Sequence, residues 1–258
     1  MRSIEESVVI AMDGSDKELF PFLPYILQDL WEIGADPDII IKLIRKNFNI
    51  HTGLRVLDLG CGKGAVSVKV SKALGCMCYG IDALPEFIDY ARRKAVELNV
   101  QGLCKFKTGD IRKEIKNLTD YDILILGAIG PVFGDYYKTL TTLSGCIKKN
   151  GVFIIDDGYI EDDTSYTHPF MFKKNTIMQQ IEKAGMEVVE HIIMNKEEIK
   201  ESDDHIFENL SKRCYELMKK YPDKQNLFHD YIKKQKTENY ILENLVTGTT
   251  MVLKKTNH

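Results

Sequence analysis

The sequence predicts an α/β protein built around a parallel sheet, and three observations carry that expectation. Apolar runs of strand length recur at 56–59, 77–81, 103–107, 121–126 and 152–155, with helix-compatible stretches between them. That alternation builds βαβ units. The first run opens into a glycine turn, VLDLGCGKG at 56–64, which feeds a helical stretch at 65–74. Acidic residues stand where several runs end, at Asp82, Asp110 and Asp156-Asp157, the edge on which open α/β sheets bind ligands.

The glycine turn organises the rest. Gly60, Gly62 and Gly64 alternate with Cys61 and Lys63, so the backbone can turn sharply and a ligand can approach it without Cβ atoms in the way. The N–H groups opening the next helix would face that ligand. Asp58 interrupts the apolar strand, and a buried carboxylate is costly without a partner.

In chain order, 1–14 carries little signal, and 7–12, SVVIAM, has the composition of a short strand or a tucked-in tail. The stretch 16–31 has helical spacing broken by Pro21 and Pro24, which predicts a short kinked segment. Asp36 before Pro37 marks an N-cap. Ile39, Ile40, Leu43, Ile44 and Phe48 give the helix that follows one apolar face. Helices are expected at 85–98 and 136–148, with a short helix or loop at 111–118, and Asn150-Gly151 turns into the strand at 152–155. A helix at 173–184, stopped by Gly185, precedes a strand at 186–194. The polar stretch 195–244 predicts two helices parted by Pro222-Asp223, one striped by Ile206, Leu210, Cys214 and Leu217, the other by Phe228, Tyr231, Ile232 and Gln235. A strand at 245–254 closes the chain. The expected organisation is a single domain over 1–258: an N-terminal helical cap (1–52), a core (53–194 and 245–258), and a helical insertion (195–244) before the last strand. The insertion is expected to be a lid or a homodimer contact.

Composition excludes several classes. Lys and Arg number 35 against 38 Asp and Glu, a net charge of −3, so there is no basic footprint for nucleic acid. No apolar run reaches membrane-spanning length. The first residues are acidic and do not resemble a secretory leader. Six cysteines without paired metal-type spacing point to reduced thiols and a cytoplasmic location.

Four motifs together resemble the class I S-adenosylmethionine-dependent methyltransferases, across about 53–194: VLDLGCGKG; YGIDALPEF at 79–87; KTGDI at 107–111; and the pair YDILILGA (121–128) with IKKNGVFIIDD (147–157). The resemblance implies a Rossmann-like seven-stranded sheet in the order 3-2-1-4-5-7-6, with strand 7 antiparallel and supplied by 245–254. It also implies S-adenosylmethionine as cofactor. Asp82 would then accept the ribose hydroxyls. Asp110 would accept from the adenine amine, with the Ile111 backbone nearby, and Ala83, Leu84 and Ile111 would wall the adenine. Gly60, Cys61 and Gly62 would lie along the methionine portion, Asp58 would hold its amino group, and Gly127 and Ala128 would stand beside the sulfonium. An NAD(P)-dependent oxidoreductase is the alternative on this fold, because GCGKGA fits a loose G-x-G-x-x-A and Asp82 lies near the ribose-acid distance. Asp58 and Asp110 have no role in that scheme. A non-catalytic binding protein is a second alternative.

The acceptor is expected to be a small molecule methylated at oxygen or nitrogen. Residues 127–131, Gly-Ala-Ile-Gly-Pro, lack the Asn/Asp-Pro-Pro-aromatic motif that similar nucleic-acid and protein amino-group methyltransferases carry. No metal is expected, since catechol-type relatives need an acid after the fourth strand as well as after the fifth. DDGYIEDD, 156–163, carries five acids; it is either a solvated loop or a pocket rim suited to a cationic or amine substrate, with Asp157 binding it and His168 or Tyr159 accepting a proton. Phe20, Tyr25 and Trp31 either cover the active site or only pack the cap on the sheet.

Overall fold

The computed structural model describes residues 2–256. Its strands are β1 (Arg55–Leu59), β2 (Met77–Asp82), β3 (Cys104–Thr108), β4 (Tyr121–Gly127), β5 (Ile147–Tyr159), β6 (Met186–Ile193) and β7 (Thr247–Lys255). They form one sheet in the order β3-β2-β1-β4-β5-β7-β6. β7 is antiparallel to both neighbours, and the ladder from β3 to β5 is parallel. This is the order the sequence resemblance implied.

The helices are α1 (Ile4–Ala11), α2 (Leu23–Ile26), α3 (Pro37–Asn47), α4 (Ala65–Leu74), α5 (Pro85–Glu97), α6 (Ile111–Glu114), α7 (Tyr136–Leu143), α8 (Lys174–Lys183), α9 (Lys196–Lys220) and α10 (Gln225–Asn244). Because alternate strand residues face opposite ways, the apolar runs feed two cores. Leu57, Leu59, Leu124 and Phe153 pack with Leu140 of α7 and Ile177 of α8. Val56, Ile123, Ile125 and Ile154 pack with Ile40 and Ile44 of α3 and Val70 of α4.

Two elements differ from expectation. Residues 7–11 belong to helix α1, not to a strand, and Met12 is its C-cap. Ser3 and Glu6 form a reciprocal capping box, which satisfies two free N–H groups, and Val9 is buried against Leu19 and Leu23. Packing and capping here outweigh the strand preference of Val8, Val9 and Ile10. The helix expected at 136–148 ends at Leu143, after which a short 3₁₀ turn reaches Cys146. Ile147 already pairs with Tyr121, and the ladder then shifts register. Gly151 permits this: a Cβ there would sit 3.0 Å from the Tyr121 carbonyl oxygen.

The insertion packs on the N-terminal segment. Leu210, Cys214 and Leu217 of α9 and Phe228 and Tyr231 of α10 bury themselves with Leu19, Leu23, Ile26 and Leu27. Arg213 donates to Asp29 at 2.6 and 2.8 Å, Tyr25 donates to Glu216 at 2.7 Å, and Tyr231 donates to the Met12 carbonyl at 2.9 Å. Cap and insertion thus form one roof over the carboxyl ends of the strands. No helix among the described residues is long and apolar enough to cross a membrane.

Candidate active site

Two cavities lie under this roof. The first follows the carboxyl ends of β1, β2 and β3 and is lined by every residue expected to meet the cofactor: Asp58, Gly60, Cys61, Gly62, Asp82, Ala83, Asp110, Ile111, Gly127 and Ala128. Leu84 and Trp31 line it as well.

Its polar groups are arranged by the local chain. Asp58 is buried on β1, and one of its oxygens accepts from Ser67 Oγ at 2.7 Å. Burial and the nearby Asp82 push its carboxyl up to about 6 against the Ser67 hydrogen bond. Asp82 ends β2 and accepts from the Gly62 N–H and the Leu84 N–H, each at 2.9 Å; burial raises it too. Each carboxylate oxygen carries two lone pairs, so both acids keep acceptor capacity toward the cavity. Gly60 has φ +74°, and a Cβ there would sit 2.6 Å from Ile129 Cγ2, so only glycine fits the turn. Burial drives the Cys61 thiol well above its usual range, making it a wall rather than a nucleophile.

Asp110 caps α6 and is bound by Arg112, whose Nε and Nη2 lie 2.8 and 2.9 Å from its two oxygens. That pairing holds its carboxyl below the usual range. Arg112 also donates to the Arg2 carbonyl and to Ser7 Oγ of α1, at 3.0 and 3.2 Å. It ties the first helix across the cavity mouth.

The second cavity, about 800 Å³, opens beside the first. The two share Ile33, Gly34, Ala35, Ala128 and Ile129 as a common wall. Ala128 stands at that wall with φ +53°, uncommon for a residue with a side chain. Asp157 and His168 line the second cavity. Asp157 is enclosed by protein yet exposed, because its surface opens on the cavity. It accepts from the Tyr136 hydroxyl at 2.8 Å, and burial raises its carboxyl.

One expectation about this region needs correction, and two open alternatives are decided. Tyr159 is fully buried in the core, does not line the cavity, and its hydroxyl has no partner; two residues beyond Asp157 on the same face of β5, it has passed under α8, with Lys174 over its ring. Of the five acids in 156–163, only Asp156 and Asp157 line the cavity. Glu161, Asp162 and Asp163 are exposed past the end of the strand. Phe20 and Tyr25 pack or bond within the roof, and only Trp31 of the three aromatics reaches a cavity, its Nε1 donating to the Lys63 carbonyl at 3.1 Å. Among the described residues no group of three or more His, Cys, Asp or Glu is arranged to hold a metal ion.

A family model for a methyltransferase domain matches residues 50–244. The chain belongs to the class I S-adenosylmethionine-dependent methyltransferases. A methyltransferase from Thiobacillus denitrificans, solved with S-adenosylhomocysteine, shares its fold with a TM-score of 0.73 at 18% identity, covering 91% of this chain and 98% of that one. One from Geobacter sulfurreducens, also with S-adenosylhomocysteine, gives 0.74 at 16% identity with the same coverage. A [4+2]-cyclase, SpnF, gives 0.72 at 12% identity over 99% and 97% of the two chains. In sequence, a ubiquinone biosynthesis O-methyltransferase of Rickettsia bellii is 29% identical over 116 residues. That match spans 45% of this chain and 47% of the relative, so the chain spans about half the length of the curated relatives it matches.

The cofactor of this methyltransferase is S-adenosylmethionine, and the first cavity suits it chemically. Asp58 and Asp82 offer buried carboxylate oxygens to the cavity, and Gly62, at φ +53°, leaves the turn's backbone bare. Lys63 and Arg112 escaped sequence reasoning. Lys63 is buried with its Nζ on the carbonyls of Leu27 and Leu30, and burial pulls it down to about 8. Nothing in the linear sequence marks a glycine-turn lysine as a clamp, because its acceptors lie more than thirty residues away.

Proposed function

We propose that this methyltransferase methylates a small molecule at oxygen or nitrogen, with S-adenosylmethionine in the first cavity and the acceptor in the second. The observation that carries this reading is the shared wall at Gly34-Ala35 and Ala128-Ile129, which sets a roofed cavity against one ringed by the family's motifs.

Bound in the first cavity, the sulfonium supplies a methyl group already activated for displacement. The chain's own task is then placement. The oxygen of Asp58 not taken by Ser67 holds the amino group of the methionine portion, Asp82 accepts ribose hydroxyls, and Asp110 and the Ile111 backbone meet the adenine edge between Ala83 and Leu84. Gly60, Cys61 and Gly62 line the methionine portion, and Gly127 and Ala128 stand where donor and acceptor sites meet. Such orientation contributes up to about 7–11 kcal/mol. An acceptor that must lose a proton gains roughly 10²–10⁴-fold from a positioned base, for which His168 and Asp157 are the candidates lining the cavity.

Calorimetric titration of the full chain with S-adenosylhomocysteine, against NADH as control, tests the cofactor site. We expect micromolar binding of the former, weakened at least about tenfold in Asp82→Ala by loss of charge-assisted hydrogen bonds. Binding of NADH in its place would restore the oxidoreductase reading. Methyl incorporation from labelled cofactor into a panel of small alcohols, phenols and amines tests the acceptor class.

A further inference from the structure

The acceptor cavity is strongly anionic. Nine carboxylates line it, against one lysine, Lys234, and one histidine, His168. Among the described residues only one of the nine, Glu32, forms a salt bridge to a lysine or arginine. Two of them are nearly withdrawn from water while still reaching the cavity. Asp156 is 6% exposed; one of its oxygens accepts from Thr250 Oγ1 at 2.7 Å, and the other accepts from none of the described residues. Glu238, from α10, is 9% exposed; the acid Asp13 lies near it, and among the described residues its one oppositely charged contact is His168 Nε2 at 3.8 Å, beyond hydrogen-bonding distance. Burial, with Asp157 and Asp36 nearby, pushes Asp156 up to about 7. A buried carboxylate without a cation is unfavourable, and a cationic ligand removes that penalty. Much of the remaining lining is apolar, including Ile129, Phe170, Phe172, Met194 and Ile206.

We propose that the acceptor is an amine with an apolar body, its nitrogen held by Asp156 and its body lying against this apolar wall. The inference rests on the reading of the second cavity as the acceptor site. Asp156 is the acid placed for the reacting nitrogen. It pairs with Gly127 in the sheet, and its carbonyl accepts from the Ala128 N–H at 3.0 Å, so it adjoins the shared wall. For transfer, the ammonium first gives a proton to a cavity carboxylate. The nitrogen lone pair then forms the N–C bond as the methyl carbon's bond to sulfur breaks. The electron pair of that bond stays on sulfur, leaving a neutral thioether, and the product is a methylammonium ion. A phenol or a carboxylic acid would instead have to ionise among like charges, which disfavours its anion.

The test is calorimetric titration of the full chain, saturated with S-adenosylhomocysteine, by octan-1-amine, octan-1-ol and octanoate. The amine should bind at least about tenfold more tightly than the alcohol, the gain of one charge-assisted pair, with octanoate weakest. Asp156→Asn should weaken the amine by about tenfold and leave the alcohol unchanged. If that variant does not fold, Glu238→Gln should weaken the amine selectively; equal binding of the amine by wild type and variant overturns the inference. Alcohol or octanoate binding best would overturn the amine while leaving a small-molecule site in place. Binding of none of the three, with S-adenosylhomocysteine still bound, would overturn the acceptor-cavity reading itself.

Discussion

Lys63, in the glycine turn, donates from Nζ to the carbonyl of Leu30 at 2.5 Å and to that of Leu27. One side chain thus joins the glycine turn to the roof. Its ammonium also lies 5.4 Å from the Phe87 ring centre and 4.9 Å from that of Tyr90, so the clamp has aromatic support.

Lys63→Met keeps the length of the stem and removes the donor. The Leu30 carbonyl then loses its partner, while that of Leu27 keeps the Leu30 N–H, at a cost of about 1–3 kcal/mol. For a chain of this size each kcal/mol lowers the melting temperature by about 2–4 °C. A thermal melt unchanged from wild type would show that the lysine does not clamp the roof.

Cofactor affinity should depend on pH through Asp58. Its carboxyl sits at about 6 in the ligand-free protein, and an ammonium beside it would stabilise the charged form. Binding is therefore linked to proton release. S-adenosylhomocysteine should bind about tenfold more tightly at pH 7 than at pH 5, and titrations at the two values check this. A flat profile would remove Asp58 from the amino-group site.

Stability of the ligand-free chain should run the other way. Asp13, Asp58 and Asp203 are raised to about 6 and Asp156 to about 7, each chiefly by burial. Between about pH 4 and 7 the native state then holds more protons than the unfolded chain, so these groups make stability fall as pH rises. Their contribution is fully present below the unfolded value of 3.8 and is lost above the folded ones. Carboxyls lowered by partners, such as Asp29 and Asp110, lose their contribution only below that window. A higher melting temperature at pH 5 than at pH 7.5 is expected, with the gap narrowing when S-adenosylhomocysteine is bound.

Arg112→Gln should release α1. The guanidinium reaches Asp110, Ser7 and the Arg2 carbonyl together, and a glutamine cannot span them. Amide exchange over 4–11 should accelerate by about tenfold or more, a local opening cost of roughly 1.4 kcal/mol, while the central strands keep their protection. Equal exchange in the two proteins would mean that α1 is held by Val9 and the capping box alone.

The sheet, the glycine turn and the acids that line the first cavity were legible in the sequence because they are local. A strand buried on both faces must be a continuous apolar run. A tight strand-to-helix turn must carry glycines where φ is positive, as at Gly60, Gly62 and Gly64. Asp58, Asp82 and Asp110 follow from their place at or near strand ends. The tertiary structure decided what depends on distant partners. α1 became a helix through its capping box and the pocket that receives Val9. α9 and α10 became part of the roof because the N-terminal segment offers their apolar stripes a surface. The second cavity drew Asp36, Asp156 and Glu238 from separate elements, while the acids at 161–163, adjacent in sequence, were left outside. Chemistry that needs neighbours along the chain is written in the chain. Charge gathered around a cavity exists only once the fold has brought its walls together.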